Sequence, residues 1–397
     1  MTGDSIRDYA DRQRERYGRA RRSEKRRLLD EFVAVTGYHR KSAIRLLGGR
    51  SRGHTSGRRA GRPRQYGGPV AEAARVLWEA AGQIDAKRLQ PFVPELLDRL
   101  LASEEIRVTP ETDALLRRLS PATLHRLLAP ARAGLPRRGR GLTRAATHLK
   151  QQIPIRTFAD WDDAAPGYLE IDLVGHSGDS SEGFFLYTLT TVDVATSWVE
   201  LEPVWGKGQL RVGAAIHQVR TRLPVPLRGL DSDGGSEFIN HHLFAYCQRE
   251  RIVFTRSRAA KKNDQAHVEQ KNGAIVRHLV GYDRSTSRAA YAQLGALYRL
   301  VRLHTNYFQP VRKLVSKTRH GATERRTYDR AQTPYQRLVA SGALDPAQAA
   351  RLGPQYESLR PLQLRRQVDA ALDRLWPLAA RGPEPRPTDL PIALDAG

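Results

Sequence analysis

The chain has 397 residues, 40% of them hydrophobic, enough for two or three domains with cores of their own and more than one short binding module needs. Its 66 Lys and Arg against 42 Asp and Glu give a formal charge of +24, an excess whose natural counter-charge is polyphosphate. Residues 1–22 are rich in Arg and Asp without the apolar run of a secretory signal. No stretch is apolar for long enough to cross a bilayer, and the single Cys247 excludes an intramolecular disulfide or a cysteine-based zinc finger. A cytoplasmic protein is expected.

From residue 23 to residue 48, Leu28, Leu29, Phe32 and Val33, then Ile44, Leu46 and Leu47, form two apolar helical stripes separated by Thr36-Gly37-Tyr38. The second helix carries Arg40, Lys41 and Arg45, as a recognition helix in a major groove would; a plain helical hairpin with a solvated basic face has the same pattern. Residues 50–66 lack periodicity and read as a basic linker whose Gly61-Arg62-Pro63 resembles the core of an AT-hook, so Arg62 is a candidate DNA contact. A second helical block runs from residue 70 to residue 128. It closes on Ser120-Pro121, an N-cap followed by proline at the first helical position, ahead of a short helix presenting Thr123, His125 and Arg126 to DNA. This segment reads as a second helix-turn-helix, followed by another basic linker.

At residue 168 the pattern changes to strands. Residues 168–174, 184–194 and 197–204 are β-rich, then helix and strand alternate: helix 208–222, strand 225–230, helix 236–249, strand 252–255, helix 264–280. Three strands followed by alternating helix and strand predict an α/β core of ribonuclease-H type, with a five-stranded mixed sheet and flanking helices. Asp172 falls within the first strand, Asp233 directly after the fourth, and Glu269 on the helix after the fifth. Phosphodiester cleavage with two Mg²⁺ ions, for which Mn²⁺ can substitute, needs carboxylates converging from separate elements. Val268, Ile275 and Leu279 set the core-facing stripe of that last helix and leave Glu269 at its edge.

Leu169-Glu170-Ile171-Asp172, Asp231-Ser232-Asp233-Gly234-Gly235-Ser236-Glu237-Phe238 and Lys262-Asn263-Asp264-Gln265-Ala266-His267-Val268-Glu269-Gln270-Lys271-Asn272-Gly273 resemble the integrase-core transposases of bacterial insertion sequences. The 35 residues between Asp233 and Glu269 match that family's spacing, and the resemblance covers roughly residues 168–306. It implies a DDE enzyme acting on transposon ends and target DNA, at least dimeric when two ends are paired, with Asp172, Asp233 and Glu269 as metal-binding acids. It also selects Asp172 over Glu170 and Asp233 over Asp231. The chain departs from the pattern in two places: Gly234 stands where Asn is usual, and Val276 stands where many members carry Lys or Arg, leaving Lys271 and Arg277 as substitutes. His176, His267 and Asn272 are candidates to support the acids; Lys261 and Lys262, on a loop before the catalytic helix, are candidate DNA contacts. Glu237 and Asp193 are expected to be structural.

The expected boundaries are a helix-turn-helix domain at 1–55, a basic linker at 56–68, a second helical DNA-binding domain at 69–135, a basic linker at 136–160, the catalytic core at 161–306, a basic and mostly helical region at 307–380, and a disordered tail at 381–397. Leu364, Val368, Leu372 and Leu375 form a stripe that either a partner or the chain itself could cover. Two other functions fit the same composition. One is a catalytically silent transposase-derived repressor; the other is a ribonuclease H cutting RNA–DNA hybrids, which would not need two helix-turn-helix units.

Overall fold

The computed structural model describes residues 3–48, 65–133, 155–156, 165–257, 265–320 and 323–380. Residues expected to form the two linkers and the tail fall largely outside this set, as do Arg62, Lys261 and Lys262. The chain divides into two compact units, Met1–Gln65 and Tyr66–Gly397. No helix among the described residues is long and apolar enough to cross a membrane.

Among its described residues the first unit has three helices, α1 (Gly3–Arg19), α2 (Arg22–Thr36) and α3 (Arg40–Leu47). Helices α2 and α3 are the expected pair, and the turn between them works because Gly37 takes φ 69° and returns its N–H to Val33 O at 2.9 Å. Helix α1 adds to that expectation. It supplies Ile6, Ala10 and Tyr17 to a core with Leu28, Leu29, Phe32, Ala43 and Leu47. Because Ala43 and Leu47 are the positions turned inward, Ile44 is not on the core stripe but exposed beside Arg40, Lys41 and Arg45.

The second unit opens with α4 (Gly68–Ala80), α5 (Ala86–Leu89), α6 (Val93–Ala102), α7 (Pro110–Arg117), α8 (Pro121–Leu127) and α9 (Ala129–Ala133). Thr109 and Ser120 cap α7 and α8, each followed by proline, as the composition of those turns predicts for α8. The sheet comprises β1 (Ile155–Arg156), β2 (Tyr168–Gly175), β3 (Tyr187–Asp193), β4 (Val199–Val204), β5 (Gly229–Ser232) and β6 (Val253–Ser257), in the order β1-β6-β5-β2-β3-β4. Strands β2, β3 and β4 pair antiparallel, while β5 and β6 run parallel to β2. That is the expected mixed five-stranded arrangement. One strand is added to it, since the two-residue β1 extends the β6 edge, too short to leave a periodic signal.

Helices α10 (Gln209–Arg222) and α11 (His241–Arg249) cover one face of the sheet, where Val212, Ile216, Val219 and Leu243 share a core with Leu169, Ile171 and Leu230. The opposite face, with Val174, Val192, Val199 and Leu201, is covered by α12 (Ala266–Lys271), the π-helical segment Asn272–Val280 that continues it, and α13 (Arg288–Phe308). Alternation along each strand therefore feeds two cores, one per face.

The chain continues as β7 (Leu314–His320), β8 (Thr323–Tyr328), α14 (Pro334–Ala340), α15 (Pro346–Ser358) and α16 (Pro361–Leu375). The region is thus not mostly helical at its start: β7 and β8 form an antiparallel hairpin. Its Val, Thr and Tyr residues outweigh the Arg and Lys that suit a helix. Helix α14 begins at the predicted Thr333-Pro334, with a reciprocal capping box between Thr333 and Gln336. The α16 stripe is covered within the chain, Val368, Leu372 and Leu375 packing in the α13 core.

Helices α4–α9 are not a free-standing module either. The Tyr356 hydroxyl donates to Glu95 at 2.5 Å, the Gln363 N–H to Glu105 at 2.7 Å and Arg88 to Pro310 O at 2.7 Å. Leu77, Leu96 and Leu97 share one cluster with Tyr307, Phe308 and Leu364. The boundaries expected near residues 135 and 307 therefore do not separate independent cores.

Candidate active site

Two tiers of acids stand on one face of the central strands. In the lower tier Glu170 of β2 lies beside Asp231 of β5 in register; one pair further on, Ile171 faces Ser232, so Asp172, within β2, and Asp233, just past the end of β5, come next on parallel neighbours about 4.8 Å apart. The two tiers have different surroundings. Glu170 and Asp231 are completely buried, whereas Asp172 and Asp233 are partly exposed.

The lower tier holds α12 in place. One Glu170 oxygen accepts the backbone N–H groups of His267 and Val268, each at 3.0 Å, at a helix start that has no side-chain cap of its own. A carboxylate there satisfies two orphan donors and meets the positive end of the helix dipole, and bonds to a charged acceptor contribute roughly 1.5–3 kcal/mol each. Asp231 accepts from Thr255 at 2.7 Å and, more weakly, from Gln265 at 3.5 Å. His267 reaches this tier through its backbone amide, which bonds Glu170 and not one of the three predicted acids.

In the upper tier, Asp172 accepts from the Leu173 N–H at 2.8 Å and from Asn272 Nδ2 at 2.6 Å. Burial of the carboxyl group, then the negative field of Asp233, and further that of Glu269, push its pKa up to about 7 against the pull of those two bonds. The residue as a whole is half-buried while its carboxyl is enclosed. Asp233 accepts from Gly235 N–H at 2.9 Å in the turn after β5. At Gly235 a Cβ would lie 2.9 Å from Asp233 Oδ1 and 2.7 Å from the Glu237 carboxyl carbon, so a side chain there would displace both carboxyl groups. Glu237 is therefore a fourth acid at the site. It was expected in the first turn of α11, but Asn240 caps that helix and leaves Glu237 in the preceding loop. Only the tight turn, not the acid itself, marks this position in the sequence.

Glu269 is exposed on α12. Oxygen donors from β2, the β5 turn and α12 suit a hard divalent cation, and the mutual repulsion felt at Asp172 is the charge such a cation would relieve. Asn272 adds an observation in the same direction, its Oδ1 being buried without a hydrogen-bond partner among the described residues. Among the described residues no three carboxylate, imidazole or thiol groups, Asp172, Asp233 and Glu269 included, are close enough together to hold a metal ion.

The helix carrying Glu269 changes winding where Asn272 begins. Its i→i+5 hydrogen bonding, ending in Gly281 N–H to Val276 O at 3.3 Å, turns Ile275, Val276 and Val280 inward and leaves Leu279 only partly buried, so the stripe differs from the α-helical one expected. Val276 is fully buried. Arg277 is half-buried, lies over the Tyr282 ring at 5.0 Å and feels the charge of Asp172. Lys271 is buried, and that burial, with repulsion from Arg88, pushes it down to about 7; it is not a surface contact for DNA. His176 is buried as well and bonds Thr188 at 2.7 Å, not an acid; burial, with Arg277 nearby, pushes it down to about 3. Asp193 is structural as expected, accepting from Gly167 N–H and from both the N–H and hydroxyl of Thr196, each at 2.7 Å.

The remaining candidates lie elsewhere. Arg40, Lys41 and Arg45 are exposed on α3, with Arg40 paired to Asp30. His125 and Arg126 are exposed on α8; Arg126 donates to Thr123 at 3.2 Å, and His125 is 2.9 Å from Arg132.

No protein-family model matches the chain. It is 46% identical over 311 residues to "Uncharacterized protein y4rM" of Sinorhizobium fredii (strain NBRC 101917 / NGR234), across 78% of this chain and 87% of that protein, and belongs to the same family. Among solved structures, the catalytic core domain of BIV integrase superposes with a TM-score of 0.29 at 16% identity, covering 45% of this chain and 97% of that one. The HTLV-2 integrase catalytic core domain in complex with magnesium, dimeric form, gives 0.28 at 16% identity, covering 37% and 90%.

Proposed function

We propose that the protein is a DDE transposase that cleaves and rejoins DNA phosphodiesters with Asp172, Asp233 and Glu269 as its metal-binding acids. The single observation that supports this reading most is the register that brings Asp172 of β2 next to Asp233 after parallel β5, with Glu269 on the helix packed over that sheet face. Mg²⁺, or Mn²⁺ in its place, would supply activation of the attacking oxygen and stabilisation of the leaving one. The chain's own residues do the positioning. Asn272 fixes the rotamer of Asp172 through its 2.6 Å bond, Glu170 fixes the start of the helix that bears Glu269, and Gly235 leaves room for the Asp233 turn. Arg277, which feels the charge of Asp172, would meet a phosphate oxygen and take the basic role that Val276 and buried Lys271 cannot.

The charge of +24 and the exposed bases of α3 support recognition of the terminal inverted repeats by the first unit, with Thr123, His125 and Arg126 of α8 adding contacts. A freed 3′-hydroxyl then attacks target DNA in line. Joining two ends calls for at least two copies of the chain, acting in the cytoplasm on the nucleoid. Full-length protein with labelled element ends and Mg²⁺ should nick 3′ ends and join them to target DNA; Asp233→Asn should do neither while still binding. Unimpaired joining by that variant would refute the assignment.

A further inference from the structure

The hairpin β7–β8 is a feature the catalytic reading leaves unused. It pairs over six register positions outside the main sheet. Its base is fixed: Lys313 Nζ donates to Val194 O at 2.8 Å and Ala195 O at 2.9 Å, Lys313 N–H to Asp329 at 2.7 Å, and Val311 bridges Gln332. Beyond that base every side chain described is exposed, on both faces, including Leu314, Val315 and Tyr328. Two-stranded ribbons are marginal in water without a packed face, so one held out on an anchored base is built to be covered.

Charge identifies what covers it. Residues 314–328 carry Lys317, Arg319, Arg325 and Arg326 against one acid, Glu324. Arg312 lies over the Tyr328 ring at 4.7 Å, adding a cation at the root. Two strands about 4.8 Å apart with side chains on either side match a major groove about 12 Å wide. The register shift at Val315 bulges the ribbon and adds twist, which suits a helical groove and works against edge-to-edge pairing with another sheet.

We propose that the β7–β8 hairpin is a duplex-DNA docking element that enters the major groove. This rests on the reading of the protein as a DNA-processing enzyme. The test is equilibrium binding of full-length protein to a 40-base-pair duplex across a salt series, comparing wild type, Arg325→Ala/Arg326→Ala and Asp233→Asn. Both arginines are exposed, so the double variant should keep its Tm. Its plot of log affinity against log salt should be shallower by about 1.8, at about 0.9 for each phosphate no longer neutralised, while Asp233→Asn keeps the wild-type slope but does not cut. A wild-type slope in the double variant would overturn the hairpin's role and leave the catalytic reading standing. Absence of DNA binding by the wild type would overturn both. If instead Val315→Asp dissociated a dimer in sedimentation without DNA, the hairpin would be a contact between copies and not a DNA element.

Discussion

Burying Asp172 beside two further carboxylates sets its protonation and, through it, the pH dependence of the second unit. A carboxyl whose folded pKa is raised from 3.8 to about 7 binds its proton more tightly in the folded state. Its stabilising contribution is complete below about pH 4 and is lost as pH rises through 7, to a ceiling of roughly 4 kcal/mol before relaxation. Asp172→Asn imitates the protonated group. The variant should therefore melt a few degrees above wild type at pH 8 and level with it at pH 4, and Mg²⁺ should raise the wild-type Tm at pH 8 but not the variant's. Equal melting of the two proteins at pH 8 would mean the acids do not converge. Resemblance to a known motif singles out Asp172 over Glu170 although the two share a strand face; what Glu170 does instead is shown only by the helix start packed over it, which it caps.

The π-helical stretch after Lys271 changes which residues the helix bearing Glu269 presents. An α-helix would bring the seventh residue after Glu269 back to its face; the wider turns bury that residue, Val276, and leave its neighbour Arg277 toward Asp172. Arg277→Ala should lower strand cleavage by about 100-fold with Tm nearly unchanged, the scale of losing one preorganised donor. Adding Val276→Arg should not restore activity and should lower Tm, because it forces a charge into a packed site. Recovery of activity in that double variant would show that the helix winds as α in solution. Apolar periodicity presumes a fixed winding, so the altered stripe of Val276 and Val280 is invisible to it. The β7–β8 hairpin escapes it for a related reason: alternation is masked there by charges on both faces, and only the β-branched residues mark the strands.

Across the molecule, the order of sheet elements, the capped starts of α8 and α14 and the gap between Asp233 and Glu269 are all legible, because local chemistry determines each of them. Which apolar stripes meet is not. The helices carrying Leu77, Leu96 and Leu97 have the pattern of a separate DNA-binding module, but they share a core with Tyr307, Phe308 and Leu364, far away in sequence, and a stripe does not name its partner. The face bearing the upper-tier acids therefore belongs to the same compact unit as α4 to α16, and a ligand bound between those acids should stabilise all of it. The most direct test of metal ligation is a change of ligand softness at Asp233. Full-length Asp233→Cys should fail to cleave labelled DNA ends in Mg²⁺ and recover a measurable fraction of cleavage in Mn²⁺, since a thiolate accepts the softer ion and rejects the harder one. Equal activity in the two ions would contradict a metal-binding role for Asp233.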